Sequence, residues 1–439
     1  MRVYLISLGC DKNLVDSEVM LGLLQEAGHT VADDLDEADA AIVNTCCFIG
    51  DAKEESINTI LELAERRTEG SLKRLIIAGC LAERYADDIR REIPEVDAIV
   101  GTASYEDIVA ALTSEGAYES RRPLSYLPQP QTPRAVTAGN YVSYLKIAEG
   151  CDKCCTYCII PKIRGPYRSF PMERLVAEAE RLTAAGTREL ILVAQETTIY
   201  GTDLYGEKKL AELLHRLCRI GDLARIRVMY AYPEEIDETL IEAIAAEPKV
   251  CRYLDMPIQH ASDDVLRRMG RRTTCADIEA IVAKLRRRIP GIVLRTTLIT
   301  GFPGETEEDF AKLTEFVQRM RFERLGCFPY SKEEGTDAAK MKGQIPKRVR
   351  ERRKNVIMKQ QQTICSDYSR SLTGRTLPVL VDGFLPEEEV FTGRTEGDAP
   401  TVDGAVFFKG PQSLMSGDIV PVRITSACLY DLTGEVVNE

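Results

Sequence analysis

Short apolar runs alternate with helical patterns along most of this chain. That alternation dictates parallel β-sheets whose strands are joined by crossover helices. It occurs in two stretches. In residues 1–116 the runs VYLISL, AAIVNT and LIIAG are separated by helical patterns around 16–27 and 52–67, which predicts a Rossmann-like parallel sheet. From Tyr141 the alternation resumes and repeats about six times through YVSYLKIA, ELILVAQ, RIRVMYA, YLDMPI, VLRTTLIT and RLGCFPY, with MERLVAEAERLTAAG and ADIEAIVAKLRRRI among the helical segments. Six β/α units predict a partial, open version of the β/α barrel.

The alternation is interrupted twice. The stretch RRPLSYLPQPQTPRAVTAGN is proline-rich and aperiodic, so 117–140 reads as a semi-rigid linker. From residue 367 the runs TLPVLVDGF, EVFTGRTE, AVFFKG and IVPVRITSACLYDLTGEVV are broken by glycine and proline without a helical period, which predicts a small antiparallel β-barrel. The expected organisation is therefore an α/β chain with a sheet domain at 1–116, a linker at 117–140, a barrel domain at 141–366 and a terminal barrel at 367–439. The basic segment IPKRVRERRKNVIMKQQQ reads as a solvated connecting helix in preference to a nucleic-acid contact. Nothing in the sequence approaches a membrane span, and the opening MRVYLISLGC is too briefly apolar for a lipoprotein signal. Fourteen cysteines without a secretory segment predict a reducing, cytoplasmic setting and thiols used for metal or redox chemistry.

The thiol spacing narrows that chemistry. Within GCDKCCTYCIIP, Cys151, Cys155 and Cys158 form a CxxxCxxC triplet just after the first barrel strand, at the end where this fold gathers its chemistry. Three thiolates hold three corners of a four-iron cluster and leave one iron open for a substrate or cofactor. The same run contains CxxC at Cys151/Cys154 and Cys155/Cys158, but zinc ribbons separate their pairs by a long loop and these abut. Cys154 is therefore read as a spare thiol. In the first stretch Cys10, Cys46 and Cys80 each follow a predicted strand, and carboxyl ends of parallel strands converge on one crevice. They are read as a second three-cysteine metal site, with Cys47 as a competing ligand. Histidine is scarce, and only His260 lies in a motif, where a hydrogen bond within the barrel rim and a cofactor contact are equal readings.

SLGCDKNLVDSE, NTCCFI, AGCLAERY and IAEGCDKCCTYCIIPKIRGPYRS together resemble the radical S-adenosylmethionine methylthiotransferases, over essentially the whole chain. The resemblance implies an auxiliary 4Fe-4S cluster on Cys10, Cys46 and Cys80, a radical 4Fe-4S cluster on Cys151, Cys155 and Cys158, and a C-terminal TRAM barrel. It further implies S-adenosylmethionine contacts from Tyr157 at the adenine, Gln195 and Glu196 at the methionyl amino group, and Gln259, Gly301, Gly304 and Glu305 around the cofactor pocket. The two glycines would permit close backbone approach and Glu305 would cap the next helix. Implied too are one S-adenosylmethionine as methyl donor, a second as radical source, and an external electron donor.

Two branches of the family differ in substrate. One modifies an adenosine of transfer RNA, the other the β-carbon of an aspartate in the twelfth small-subunit ribosomal protein. SLGCDKN and LDMPIQHAS resemble the ribosomal-protein branch, since the transfer RNA branch usually carries serine-glycine where His260 and Ala261 stand. Charge points the same way. Residues 367–439 hold five Lys or Arg against twelve Asp or Glu, a net −7, which would repel RNA and attract a basic ribosomal protein. A non-catalytic iron-sulfur carrier is the reading from a different class, but an electron carrier does not require a six-unit barrel.

Overall fold

The computed structural model describes residues 1–439 except 129–131, 138, 140, 438 and 439. A six-stranded, wholly parallel sheet forms first, from β1 (Arg2–Ser7), β2 (Thr30–Val31), β3 (Ala40–Thr45), β4 (Arg74–Gly79), β5 (Ala98–Val100) and β6 (Tyr118–Ser120), in the order β2-β1-β3-β4-β5-β6. Every residue of β3 and β4 is buried, as a parallel sheet covered on both faces requires. Their side chains alternate between two cores: Ala41, Val43, Leu75 and Ile77 on one face, Ala40, Ile42, Ile76 and Ala78 on the other. β6 lies inside the segment predicted as linker, because three residues paired on one side suffice for an edge strand. Residues 129–131, 138 and 140 of that linker fall outside the described residues. Its remainder is anchored: Arg134 pairs with buried Glu18 at 2.6 Å and with Glu178 at 2.9 Å, while the Thr137 N–H donates to Glu18 at 2.8 Å.

Next come β7 (Val142–Lys146), a short antiparallel pair of β8 (Ala148–Glu149) and β9 (Arg168–Ser169), then β10 (Glu189–Val193), β11 (Arg225–Val228), β12 (Val250–Asp255), β13 (Val293–Thr300) and β14 (Arg324–Pro329). The six long strands pair in parallel in sequence order from β7 to β14, and β7 and β14 are left as edges, so the sheet is an open six-unit barrel. β10 illustrates how the sequence builds it: Leu190 and Leu192 face the outer helices, while Ile191 and Val193 face the lumen with Tyr144, Met229 and Tyr253.

The last body is a closed barrel of β15 (Thr376–Leu385), β16 (Val390–Arg394), β17 (Val406–Lys409), β18 (Ile419–Cys428) and β19 (Asp431–Val436). It departs from the expected antiparallel barrel at one seam, where β17 and β19 run parallel. The basic helix Lys347–Ser371 leads into it and is less solvated than predicted. Ile357 and Ile364 enter the main core, and Arg353 is buried against Glu305 at 2.9 Å.

The loop after β16 plugs the amino end of the open barrel. Arg394 reaches Glu189 at 2.7 Å, Asp398 pairs with Arg324, and Tyr253 donates to Asp403 at 2.7 Å. No described helix is long and apolar enough to cross a membrane. At the other end the first domain meets the barrel at Lys146 of β7, at Tyr230 after β11 and at Ser331 and Glu333 after β14.

Candidate active site

Cys10, Cys46 and Cys80 follow β1, β3 and β4, three strands adjacent in the sheet, and so reach one crevice. Cys10 precedes the helix Asp11–Glu26, and Cys80 opens the helix Cys80–Glu92. Gly9 has φ +89°, and a Cβ there would stand 2.6 Å from Cys46 Cβ and 2.9 Å from its Sγ, so only glycine lets Cys46 lie against the Cys10 turn. The Cys46 N–H is fixed by Ser56 Oγ at 3.0 Å. Asn13 ties the strand ends together, donating to Leu8 O and Thr45 O at 2.9 Å while its Oδ1 faces Cys80 Sγ at 3.8 Å.

Cys47, the competing candidate, turns away from the crevice. It is fully buried in the core with Ile77 and Leu81, and its thiol donates to Cys80 O at 3.2 Å. Burial pushes its thiol up to about 11. The crevice thiols of Cys46 and Cys80 are also raised, chiefly by burial, with Cys10 adding to both and Cys46 to Cys80, while the buried Arg164 guanidinium, 3.7 Å from Cys80 Sγ, opposes that rise.

The second triplet occupies the loop after β8. Gly150 has φ +73°, and a Cβ there would strike the backbone of Gly165 and Pro166, to which Cys151 N–H is tied at 3.1 Å. Cys151 and Cys155 are buried. Cys154, on a left-handed backbone at φ +52°, is exposed, in keeping with its reading as a spare thiol. Burial raises Cys151 to about 12, and Cys155 and Cys158 interact with it and with each other. Among the described residues neither thiol group is closed into a metal-ligating array. Both nonetheless supply soft donors whose thiolate charge is costly to bury without a cation, which is the condition an iron-sulfur cluster meets.

The carboxyl ends of the other strands surround this loop. Tyr157 packs edge-on against Phe302 with centroids 6.5 Å apart. Gln195 Oε1 and Glu196 Oε2 are buried and accept no hydrogen bond among the described residues. Burial raises Glu196 to about 7, and Lys153, 3.5 Å away, offsets that only in part. Gln259 has φ +72° and spends its backbone on a bridge to Leu298 of β13.

Glu305 behaves differently from the expected helix cap. Thr306 caps the helix Glu307–Met320 in a capping box with Asp309, whereas Glu305 accepts from Gly301 N–H at 2.6 Å and Phe302 N–H at 3.1 Å and pairs with Arg353. It staples the turn because a carboxylate one residue before the helix start is too early to meet the helix's free N–H groups. Gly301 and Gly304 are left-handed, but the Arg350 and Arg268 side chains fill the space their Cβ atoms would take. His260 is wholly buried, accepts from Ser262 N–H at 2.9 Å through Nδ1, and faces Glu305 across 3.7 Å, a rim contact.

Five further residues stand at this mouth: Lys12 and Lys153, which lie inside the motifs SLGCDKN and GCDKCCTYCIIP without an assigned role, and Tyr230, Tyr232 and Arg271, which lie in none. Tyr230 and Tyr232 follow β11 and face the two thiol groups. Tyr230 OH donates to Asp11 at 3.0 Å beside Cys10, and Tyr232 OH lies 3.9 Å from Cys155 Sγ. Arg271 stacks over Tyr232 at 4.3 Å with its Nε and Nη1 unpartnered among the described residues. For the two tyrosines the signal available in the sequence was only their position just beyond a strand end.

Residues 2–101 match the uncharacterized protein family UPF0004, residues 145–317 the Radical SAM superfamily, and residues 373–437 the TRAM domain. The chain is 57% identical over 437 residues to the ribosomal protein uS12 methylthiotransferase RimO of Lachnoclostridium phytofermentans, covering 99% of each chain. It is 48% identical to the protein of that name from Trichlorobacter lovleyi, covering 100% of this chain and 98% of the relative. Among solved structures, the radical S-adenosylmethionine methyltransferase TsrM from Kitasatospora setae, bound to cobalamin and a [4Fe-4S] cluster, superposes with TM-score 0.53 at 17% identity over 75% of each chain. The cobalamin-dependent radical enzyme OxsB superposes with TM-score 0.52 at 13% identity over 83% of this chain and 57% of that one. Both likenesses concern the fold.

Proposed function

Because the chain belongs to the RimO family of ribosomal protein uS12 methylthiotransferases, we propose that it adds a methylthio group to the β-carbon of an aspartate of uS12. Support comes from full-length identity to that family together with two cysteine triplets that Tyr230 and Tyr232 face from one strand end. In this reading Cys10, Cys46 and Cys80 hold an auxiliary 4Fe-4S cluster, and Cys151, Cys155 and Cys158 hold the radical one. When bound, these groups and S-adenosylmethionine supply the methyl group, the sulfur chemistry and the radical needed at an unactivated carbon.

The chain's own residues do the holding. Gln195 and Glu196 offer unpartnered acceptors suited to the methionyl ammonium, Tyr157 sets the aromatic wall, and Arg271 and Tyr232 close the floor against water. Glu305, with Gly301, Gly304 and Gln259, shapes the turn behind them. Hydrogen abstraction from carbon needs positioning more than proton transfer, and these residues supply the positioning. The reaction is placed in the cytoplasm, with an external electron donor and a basic ribosomal protein as partners and no main role for nucleic acid.

The test offers anaerobically reconstituted protein both uS12 and transfer RNA, with S-adenosylmethionine and a reductant, and reads the products by mass spectrometry. The expected result is one methylthio group on uS12. Modification of transfer RNA alone overturns the substrate, and a cluster spectrum unmoved by S-adenosylmethionine overturns the enzyme in favour of a carrier.

A further inference from the structure

Lys12 lies on the first turn of the helix Asp11–Glu26, two residues after Cys10, and is only 6% exposed. The stem of the side chain is enclosed, but Nζ is not among the fully buried polar atoms, so the ammonium keeps an open side. Lys12 makes no ion pair or hydrogen bond among the described residues. Its Nζ instead stands 3.3 Å from the centroid of the Tyr230 ring, a cation-π contact that holds the amine without neutralising it.

The acids nearby are already engaged. Asp11 accepts from Tyr230 OH at 3.0 Å, and Asp255 accepts from Tyr230 N–H at 3.1 Å and pairs with Arg295 at 2.8 Å. That second contact fixes Tyr230 at φ +62°, a left-handed conformation that a tyrosine seldom adopts. The strained backbone therefore presents the ring beneath the amine. The place is informative as well. Cys10 beside it is exposed to the cleft, and Tyr232, two residues along, reaches Cys155. Lys12 thus sits on the ring of the tyrosine that reaches Asp11 beside Cys10, two residues along the chain from the tyrosine that reaches Cys155.

We propose that Lys12 is a specificity-determining residue that binds the carboxylate of the target aspartate of uS12, with Tyr230 as the platform that positions its amine. The inference rests on the function proposed above. A carboxylate held at Nζ leaves the adjacent β-carbon free and is selected by its charge. Gln195 Oε1 offers no donor, Glu196 Oε2 already lies 3.5 Å from Lys153 Nζ, and the unpartnered Arg271 Nε and Nη1 belong to a guanidinium stacked on Tyr232, beside the other thiol group. An asparagine at the same place would offer a weaker, uncharged acceptor.

The experiment measures, by fluorescence anisotropy on the anaerobically reconstituted full chain, the Kd for uS12 and for uS12 with its target aspartate changed to asparagine. Wild type is expected to prefer the aspartate form by about tenfold to a hundredfold, the range of one charge-assisted contact. Lys12→Met should bring that ratio near one, while Lys12→Arg should keep most of it. Iron content and S-adenosylmethionine affinity should stay at wild-type levels in both. A wild type without preference, or a Lys12→Met protein that keeps the ratio, overturns the inference. So does loss of S-adenosylmethionine affinity with the ratio intact, since the amine would then serve the cofactor's carboxylate. Wild-type protein that binds neither uS12 form and modifies transfer RNA overturns the proposed function itself, and Lys12 with it.

Discussion

Glu189 and Glu196 stand at opposite ends of strand β10, and the protein treats them in opposite ways. Burial would raise both. At Glu189 the guanidinium groups of Arg227, Arg394 and Arg225 outweigh that effect and bring the carboxyl down to about 2. At Glu196 only Lys153 and the Thr198 hydroxyl oppose it, and the carboxyl stands at about 7. Both side chains are fully buried, so depth does not separate them. Partners do. At the plugged amino end, Arg394 enters from the terminal barrel and completes an ion cluster; at the open carboxyl end the groups around Glu196 are left short of donors. Buried polar atoms without a hydrogen-bond partner among the described residues occur at both ends, Arg227 Nη2 and Arg324 Nε at the base and Gln195 Oε1, Glu196 Oε2 and Arg271 Nε and Nη1 at the mouth. Those at the mouth lie beside the Cys151 loop, which marks it as the end suited to a ligand.

Removing each glutamate in turn has the largest expected effect. Glu189→Ala leaves Arg227 and Arg394 without their shared carboxylate, and a loss of about 3–5 kcal/mol is expected from breaking a buried pair. It should appear in urea unfolding of the cluster-free chain as a lower midpoint with an unchanged slope. Glu196→Gln, by contrast, should raise unfolding stability at neutral pH, by up to about 3 kcal/mol, while weakening S-adenosylmethionine binding. Equal destabilisation by both would mean that the mouth is as structural as the base.

Acidity sharpens the contrast through its sign. The folded-state carboxyl of Glu189 is depressed from 4.5 to about 2, so its contribution is present above pH 4.5 and is lost as the pH falls toward 2. That of Glu196 is raised from 4.5 to about 7, so the folded state holds its proton longer, and stability is lost as the pH rises from 4.5 to 7. At 1.36 kcal/mol per unit each effect is on the order of 3 kcal/mol. Measured from pH 4 to 8, the stability of Glu196→Gln minus wild type should climb and level off above pH 7. A flat difference would show that Glu196 titrates no differently in the folded and unfolded chains.

Much of this architecture was legible because it is written in local pattern. Fully buried parallel strands read as continuous apolar runs, as in AAIVNT and RLIIAG, and the six thiols announce themselves by spacing or by position after such runs. What was not legible depends on distance along the chain. Arg394 and Glu189 are 205 residues apart, and no periodicity links them. For the same reason the acidic count of the terminal barrel overstates its surface charge. Asp382, Asp398 and Asp403 turn toward Arg394, Arg324 and Arg295, which leaves Glu387, Glu388 and Glu389 at the β15–β16 hairpin as an exposed acidic tip. Lys12 lay inside the motif SLGCDKN but its contact with Tyr230 depends on a distant part of the chain, and β2, β5 and β6 were missed because they are two or three residues long.

The finest test of the two-ended barrel concerns Gln195, next to Glu196. Its Oε1 is buried without a partner among the described residues, so the folded state already bears the desolvation of that atom. Removing an unsatisfied acceptor returns that cost, which offsets the packing lost with the side chain. Gln195→Ala should therefore change unfolding stability by less than about 1 kcal/mol. Asp398→Asn, at the base, takes a charge from the buried Arg324 pair and should cost more, about 1–3 kcal/mol. Chemical denaturation of the two variants side by side orders them. If Gln195→Ala proves the costlier, Gln195 is held by the fold and is not waiting for a ligand, and the difference between the two ends of the lumen narrows to its glutamates.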